Sequence, residues 1–416
     1  MNTKAFENYE SNVRSYCRSF PTVFTKAKGS VMTDEDGKEY VDFFAGAGAL
    51  NYGHNPDSMI EKMVDYLKSD GIVHSMDMYT APKRDFLEYF QENILKARGF
   101  DYRIQFAGPT GTNAVEAALK LARKVKKREN IFAFMGAFHG MTLGALSLTT
   151  DSASRDGAGQ CLNNVTHIPA PYMMGGFDSI AYMETILTDD HSGVEKPAAV
   201  ILECVQADGG IYAFDADFLK ALRELCTKHD ILLIADEIQV GNARTGTFFS
   251  FEKAGIVPDI VTLSKSIGGC GMPLALVLFK PELDIWTPGE HTGTFRGNQL
   301  SLIAGKEGLR KVVEENVEKE VQRKGGIVAD FLKNEVCTLD ERISFRGVGL
   351  IWGVDFSKFD CDMTKPLIAE CFKRGLIVER VGRDNNVLKL MPPLVIEDEL
   401  LMKGLEILKE SVKAIL

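Results

Sequence analysis

The sequence predicts an α/β fold built on a largely parallel sheet, because two patterns alternate through the middle of the chain. One is a series of short apolar runs, each about as long as a buried strand. The other is a series of stretches in which apolar residues recur with the spacing of an amphipathic helix. This alternation is typical of a parallel sheet with helices on both faces. The predicted strands are 131–134, 198–203, 231–236, 260–263 and 274–279, and the clearest helices are 114–128 and 218–228.

The sequence patterns near the two ends of the chain differ from the strand–helix alternation of its middle. The pattern over residues 29–44 predicts a hairpin-like segment with a turn at Asp34-Glu-Asp-Gly37. Beyond residue 293 the pattern changes to a long charged helix over 299–324, short strands and a final helix over 399–416. The predicted parts are an N-terminal segment (1–50) that packs with the small domain, a large domain (51–295) and a smaller α+β C-terminal domain (296–416).

Composition excludes several classes of protein. The chain has 416 residues and a formal net charge of −10, with 45% hydrophobic and 25% charged residues, as in folded globular proteins. An acidic chain without a basic stripe is not expected to bind nucleic acid. The apolar runs are too short to span a membrane, and the N-terminus lacks the apolar core of a secretory signal. The eight cysteines lack metal-binding spacing, so we expect reduced thiols, no bound metal and a cytoplasmic location.

Two charged residues are predicted at the carboxyl ends of strands, where ligands bind on parallel sheets. Asp236 ends the strand 231–236, and Lys265 follows the strand 260–263. A charged group at the end of a buried strand is costly unless it has a partner, so both are expected to face a site. A lysine there can form a Schiff base, and an aspartate can keep a pyridinium nitrogen protonated. The pair therefore suggests pyridoxal 5'-phosphate (PLP), although solvated loop residues are the alternative interpretation.

A glycine-containing segment before the predicted helix 114–128 fits a phosphate group. In Gly108-Pro-Thr-Gly111-Thr112-Asn113 the chain runs directly into that helix. Backbone N–H groups at a helix start bind phosphate, and glycine permits its close approach. An ordinary helix cap can have a similar sequence, so the segment supports PLP only together with Lys265 and Asp236.

A set of different short motifs is distributed along essentially the whole chain. They are Asn51-Tyr-Gly-His54, Thr110-Gly-Thr112, Phe138-His-Gly140, Asp236-Glu-Ile-Gln239, Arg244-Thr-Gly246, Ser264-Lys265 and Gly293-Thr-Phe-Arg-Gly-Asn298. In combination these motifs resemble those of the class III (ω) aminotransferases, which are PLP enzymes of fold type I. The resemblance implies a large PLP-binding domain, a small C-terminal domain, and a homodimer or larger homo-oligomer with shared active sites.

The resemblance also assigns roles around the PLP ring. Lys265 would be the Schiff-base lysine and would move the proton during catalysis. Asp236 would pair with the pyridinium nitrogen, and Gln239 would hydrogen-bond near the phenolic oxygen. Phe138 would stack on the ring face.

Further roles concern the phosphate and the surroundings of the ring. Gly111 and Thr112 would hold the phosphate, and Thr294 would reach the phosphate of the other subunit. Glu203 would lie near the ring and order its neighbours. We expect His139 to be a structural histidine without a catalytic role.

The chain departs from the family pattern where substrate carboxylates are bound. Met141 stands where many members have an arginine, and Lys389 replaces a second arginine before Pro-Pro-Leu394. The family's gating glutamate corresponds to Asp208, so an Asp208–Lys389 pair is expected. Arg18 and Arg296 are further candidates for carboxylate binding. Lysine pairs with a carboxylate as a point charge, without the bidentate geometry of arginine.

Three further segments are similar to the L-2,4-diaminobutyrate:2-oxoglutarate aminotransferases, the group that includes the ectoine-pathway enzymes. They are Arg14–Pro21, Phe43–Asn51 and Phe138–Gly144. The resemblance implies ping-pong transfer of an amino group between glutamate and L-aspartate 4-semialdehyde. The alternatives are an aminotransferase for another ω-amino acid or diamine, a PLP aminomutase or racemase, and a binding protein without turnover.

Overall fold

The computed structural model describes residues 3–416. The strands are β1 Phe24–Lys28, β2 Val31–Asp34, β3 Glu39–Asp42, β4 Arg103–Phe106, β5 Ile131–Phe134, β6 Val165–Ile168, β7 Ala199–Leu202, β8 Val205–Gln206, β9 Tyr212–Ala213, β10 Leu232–Asp236, β11 Ile260–Leu263, β12 Leu276–Phe279, β13 Ser344–Val348, β14 Ile351–Asp355, β15 Leu376–Ile377, β16 Glu379–Val381 and β17 Val387–Leu390. The α-helices are α1 Lys4–Tyr9, α2 Tyr16–Ser19, α3 Ala45–Gly48, α4 Asp57–Lys68, α5 Ala81–Tyr89, α6 Gly111–Lys126, α7 Leu143–Leu148, α8 Ser152–Arg155, α9 Ser179–Thr188, α10 Ala216–Lys228, α11 Gln299–Glu314, α12 Val317–Phe331, α13 Thr364–Lys373 and α14 Asp398–Ile415.

The central sheet has seven strands in the order β4-β12-β11-β10-β7-β5-β6. Strands β6, β5, β7, β10 and β11 run parallel, and β12 is antiparallel to both of its neighbours. Alternate residues of the buried strands face two separate apolar layers. Phe132 and Leu233 pack in one layer, and Ala133 and Ile234 pack with α6 in the other. The predicted α/β class with a largely parallel sheet is therefore confirmed.

Most predicted elements of the middle of the chain lie within a few residues of the observed ones, but one helix prediction is wrong. The single helix expected over 299–324 is two helices, α11 and α12. Asn316 separates them with a left-handed φ of 51°. Both helices bury apolar residues and carry charges on their outer faces, so the pattern continues across the break and hides it.

The N-terminal strands share a sheet with a strand from near the C-terminus. Its order is β1-β2-β3-β15, with β3 parallel to β15 and Val41 opposite Leu376. The turn expected at Asp34 is present, since Asp34 Oδ1 accepts hydrogen bonds from the backbone N–H groups of Asp36 and Lys38. Strands β13, β14, β17 and β16 form a further sheet. Within residues 3–416, no helix combines the length and apolar character needed to cross a membrane.

Candidate active site

A cavity of about 310 Å³ opens at the carboxyl ends of the central strands. Because β5, β7, β10 and β11 are parallel neighbours, the connections that follow them reach the same edge of the sheet. The predicted site residues that line the cavity are Gly111, Thr112, Phe138, Glu203, Asp208, Asp236, Gln239 and Lys265. The fold thus brings side chains from distant parts of the sequence around one space.

Three hydrogen bonds fix the carboxylate of Asp236, the last residue of β10. Its Oδ1 accepts from the Ile238 N–H and from the Thr262 hydroxyl, each at 3.1 Å. Its Oδ2 lies 2.7 Å from His139 Nδ1. Since each oxygen has a partner and the residue is buried, the orientation of this carboxylate is set by the protein itself.

His139 has a defined position in the site, which the sequence analysis did not foresee. It lines the cavity, is buried, and makes the hydrogen bond to Asp236. Burial, the largest single effect, lowers the pKa of His139, but the hydrogen bond to Asp236 and the negative charges of Asp236 and Glu203 together raise this pKa above its ordinary value. The position of His139 directly after Phe138 in a Phe-His-Gly motif was the available sequence signal.

Lys265 begins a 3₁₀ turn, Lys265–Gly268, directly beyond β11. Its backbone has a left-handed φ of 53°, and the hydroxyl of the preceding Ser264 donates to the Leu274 carbonyl at 2.9 Å. Burial lowers the pKa of the Lys265 ammonium, and the nearby Asp208 partly opposes this shift. A lowered pKa increases the fraction of neutral amine, which is the nucleophilic and proton-accepting form.

Glu203 supports the segment that carries Phe138. Its Oε1 accepts from the Phe138 N–H at 3.0 Å, and its Oε2 accepts from the Ala207 N–H at 3.3 Å. Burial raises the pKa of Glu203 to about 7. The half-buried ring of Phe138 gives the cavity an apolar surface.

Helix α6 begins at the cavity, earlier than the sequence predicted. Thr110 is the N-cap residue, and the Asn113 side chain closes the first turn, because Asn113 Oδ1 accepts from the Thr110 N–H and hydroxyl, at 3.3 and 2.8 Å. Gly111 and Thr112 therefore lie in the first turn, where backbone N–H groups have no acceptor within the helix. A Cβ atom on Gly140 would lie 2.5 Å from Thr112 Oγ1, so a side chain there would displace Thr112.

The residues around the cavity fit PLP. The first turn of the sixteen-residue helix α6 would hold the phosphate, and the glycine at 140 keeps that space open. Asp236 would pair with the ring nitrogen, Phe138 offers an apolar ring face, and Lys265 supplies a primary amine.

A cluster of charged residues lies behind one wall of the cavity. Lys389 Nζ is 2.9 Å from Asp208 Oδ1 and donates to Gln239 Oε1 at 3.3 Å. The Lys389 side chain is 1% exposed, whereas that of Asp208 is 33% exposed and lines the cavity. The expected Asp208–Lys389 pair is present, with Asp208 as its accessible member.

Two members of this cluster were not predicted from the sequence. Glu379 Oε2 lies 2.8 Å from Lys389 Nζ, and the Tyr16 hydroxyl donates to Glu379 Oε1 at 3.0 Å. Strands β16 and β17 are antiparallel and place Glu379 opposite Lys389. Tyr16 lies within the family-like segment Arg14–Pro21, but no motif marks Glu379, and only the strand register shows that Glu379 faces Lys389.

The remaining predicted residues lie outside this cavity. Arg18 is exposed and donates to the backbone carbonyl of Arg14 at 3.2 Å. Thr294 is also exposed, and its carbonyl lies 2.8 Å from His74 Nε2. Arg296 pairs with Asp77 at 2.5 Å. None of these three predicted residues lines the cavity.

Comparison with known families agrees with this geometry. The sequence profile described as Aminotransferase class-III matches residues 14–412. Among curated proteins, the diaminobutyrate--2-oxoglutarate transaminase of Halalkalibacterium halodurans is 53% identical, and the alignment covers 99% of this chain and 96% of that protein. The transaminase of the same name from Wolinella succinogenes is 50% identical, with the same coverage of both chains.

Solved structures show the same overall fold. An ornithine aminotransferase from Toxoplasma gondii, whose active site holds PLP at partial occupancy, superposes with a TM-score of 0.86 at 26% identity. The match covers 99% of this chain and 94% of that one. A Bacillus anthracis aminotransferase gives a TM-score of 0.85 at 25% identity, over 99% of this chain and 97% of that one.

Proposed function

Since the chain belongs to the class III aminotransferases, we propose that it exchanges an amino group between glutamate and L-aspartate 4-semialdehyde, giving 2-oxoglutarate and L-2,4-diaminobutyrate. The observation that carries this proposal is the placement of Lys265 and Asp236 in one cavity with the first turn of α6. The choice of substrates rests on the relatives named diaminobutyrate--2-oxoglutarate transaminase, which are 50–53% identical over nearly the whole chain.

PLP and the protein's own residues contribute different parts of the proposed reaction. When bound, PLP supplies an electron-withdrawing ring that stabilises negative charge on the substrate carbon. Lys265 Nζ accepts a proton from that carbon and later returns one, because its lowered pKa favours the neutral amine. Asp236 would accept a hydrogen bond from the ring nitrogen and keep that nitrogen protonated, while His139 holds Asp236 in place. Phe138 would cover the ring, and Glu203 fixes the backbone of Phe138.

A single-turnover half-reaction tests this function. The PLP-loaded protein is mixed with L-2,4-diaminobutyrate alone, the absorbance of the bound cofactor is followed, and the products are identified. We expect one equivalent of aspartate semialdehyde per site, and the Lys265→Ala variant is expected to be at least about a thousandfold slower. Unchanged turnover in Lys265→Ala would contradict the proposed role of Lys265.

Two other outcomes would change the assignment. Reaction with glutamate but not with diaminobutyrate would keep the aminotransferase and point to another ω-amine. Conversion of an amino acid without consumption of an oxoacid would indicate an aminomutase or racemase.

We further propose that the active unit is a homodimer. Met78, Tyr79 and Phe295 are exposed on two surface segments that contact each other through His74, whose Nε2 lies 2.8 Å from the Thr294 carbonyl. Exposed apolar side chains of this kind are typical of a protein interface, and a second copy would bury them. In that dimer Thr294 would reach the partner's phosphate site, as the family resemblance implies.

Sedimentation equilibrium tests the dimer. The Phe295→Asp variant should dissociate and lose turnover, whereas Met402→Asp, on the exposed face of α14, should stay dimeric. A Phe295→Asp variant that sediments as a dimer would place the interface elsewhere.

We also propose a cytoplasmic location. The eight cysteines are all unpaired thiols, and oxidising compartments favour disulfides instead. Fractionation of the source cells, with the transaminase activity as the marker, tests this proposal.

A further inference from the structure

A chain of hydrogen bonds joins the first turn of α6 to the segment that follows β5. The hydroxyl oxygens of Thr112 and Thr142 lie 2.6 Å apart, and the Thr142 hydroxyl donates to Glu116 Oε1, also at 2.6 Å. The Ala145 N–H donates to the same carboxylate oxygen at 3.1 Å. Glu116 is therefore connected to Thr112 through a single hydroxyl group, although Glu116 itself does not line the cavity.

The spacing of Glu116 and Thr112 explains how the carboxylate reaches the first turn. The two residues are four positions apart in α6, so they lie on the same face of the helix. Helical side chains lean toward the N-terminus, and the Glu116 carboxylate therefore extends back toward Thr112. The glycine at 144 leaves room for this approach, because a Cβ atom on Gly144 would overlap Glu116 Oε2.

The acceptor at Glu116 sets the direction of these hydrogen bonds. An ionised carboxylate only accepts hydrogen bonds, and a hydroxyl has a single proton to donate. Because the Thr142 hydroxyl donates to Glu116, the Thr112 hydroxyl is the donor in its contact with Thr142. The Thr142 N–H in turn donates to Thr112 Oγ1 at 3.3 Å. Thr112 is thus held by two hydrogen bonds, both of which depend on the position of Thr142.

The negative charge of Glu116 does not itself favour a phosphate nearby. A phosphate is an anion, and a carboxylate only one hydroxyl group away from Thr112 repels it. The contribution of Glu116 is therefore geometric. Its oxygen fixes Thr142, and Thr142 fixes Thr112 in the first turn, where backbone N–H groups have no acceptor within the helix and can bind a phosphate.

We propose that Glu116 is a positioning residue for the cofactor phosphate, which acts through Thr142 and Thr112. This inference rests on the proposed function, because it requires PLP. Without the Glu116 oxygen, the Thr142 hydroxyl and the Ala145 N–H lose their acceptor, and the Thr112 side chain can rotate. The binding of the phosphate group should then weaken, whereas the contacts with the ring should remain.

The dissociation constants of PLP and of pyridoxal, which lacks the phosphate, test the proposal. Both are measured by absorbance with the full-length protein freed of cofactor. Glu116→Met keeps the length of the side chain but removes its acceptor. We expect this variant to bind PLP about tenfold more weakly than the original protein, and pyridoxal within about twofold of it. Glu116→Gln keeps an acceptor oxygen and should bind PLP within about threefold of the original protein.

Glu410→Met is the matched control, because it removes a glutamate from the exposed face of α14 and should change neither constant. The proposal is overturned if Glu116→Met weakens the binding of both ligands equally or of neither, or if Glu116→Gln loses as much affinity for PLP as Glu116→Met. Failure of the original protein to bind PLP would refute the proposed function together with this inference, whereas equal losses for the two ligands would refute only the inference.

A second variant keeps the test decisive if Glu116→Met does not fold. Thr142→Val removes the hydroxyl between Glu116 and Thr112 at nearly constant shape. This variant must then lower the affinity for PLP but not for pyridoxal. An unchanged ratio of the two dissociation constants would equally overturn the proposal.

Discussion

His139 Nδ1 lies 2.7 Å from Asp236 Oδ2 in the buried floor of the cavity. The other carboxylate oxygen accepts from the Ile238 N–H and the Thr262 hydroxyl, so Asp236 cannot rotate without breaking several bonds. In the proposed PLP site His139 is therefore a positioning residue, which would act on the ring nitrogen through Asp236.

Replacement of His139 should weaken PLP binding, and the loss should be larger when the new side chain cannot donate a hydrogen bond to Asp236. Asparagine places an N–H donor near the position of Nδ1, whereas leucine does not. A hydrogen bond to a charged group contributes about 1.5–3 kcal/mol, so His139→Leu should lower PLP affinity roughly ten- to hundredfold. His139→Asn should lose much less. Equilibrium dissociation constants for PLP test this, and equal losses in both variants would contradict a role through the hydrogen bond.

The same contact predicts a pH dependence of stability. The pKa of His139 is raised in the folded protein, because the hydrogen bond to Asp236 and the charges of Asp236 and Glu203 together outweigh the lowering effect of burial. A raised pKa means that the folded state binds the proton more tightly than the unfolded state. The stabilisation is fully present below the unfolded pKa of about 6.5 and is lost as the pH rises through the folded pKa.

Urea denaturation across this range tests the sign. The difference in unfolding free energy between the original protein and His139→Leu should be largest at acidic pH and should shrink as the pH rises. A difference that grows with pH would show that His139 is neutral when it contacts Asp236.

The central sheet was predictable from the sequence because strands buried on both faces leave continuous apolar runs. The run that ends at Asp236 could be identified without knowing what it packs against. The break at Asn316 was not predictable, because α11 and α12 both present charged outer faces and the periodicity does not mark the turn. Helix α6 starts before the predicted residue because Thr110 and Asn113 cap it ahead of the apolar pattern.

The candidate site likewise contains some residues that local sequence predicts and others that only the folded chain brings together. Asp236 ends one recognisable strand and Lys265 follows another, so their chemistry could be predicted from local sequence. The contact between Tyr16 and Glu379 joins residues 363 positions apart, and Glu379 faces Lys389 only through the β16–β17 register. Such long-range pairings leave no periodic signal in the sequence.

Gly140 should be required for the phosphate site. Its φ is +134°, and a Cβ atom would lie 2.5 Å from Thr112 Oγ1. Gly140→Ala should therefore displace Thr112 and reduce PLP affinity by about tenfold or more. Gly157 also has a positive φ, of +71°, but a Cβ atom there would have no neighbour within 4 Å. Gly157→Ala controls for backbone strain and should leave PLP affinity unchanged; an equal loss in both would contradict the steric argument.

Arg244 should contribute strongly to stability, because it joins three parts of the chain from a fully buried position. Its guanidinium donates to the carbonyls of Leu350 and Pro392 at 2.9 and 2.5 Å, and to Asn51 Oδ1 at 2.6 Å. Lysine keeps the charge but cannot reproduce this planar set of donors. Arg244→Lys leaves buried acceptors unsatisfied and should lower the unfolding free energy by about 3–5 kcal/mol.

Chemical denaturation monitored by fluorescence measures this loss. Arg84 is exposed and pairs with the neighbouring Asp85, so Arg84→Lys is the matched control and should change the denaturation midpoint little. If Arg244→Lys were as stable as that control, the three hydrogen bonds would not hold these segments together. Burial also lowers the pKa of Arg244, to about 9, because removal from water disfavours the charged guanidinium. The hydrogen bonds to the three acceptors must offset this unfavourable free energy of burial.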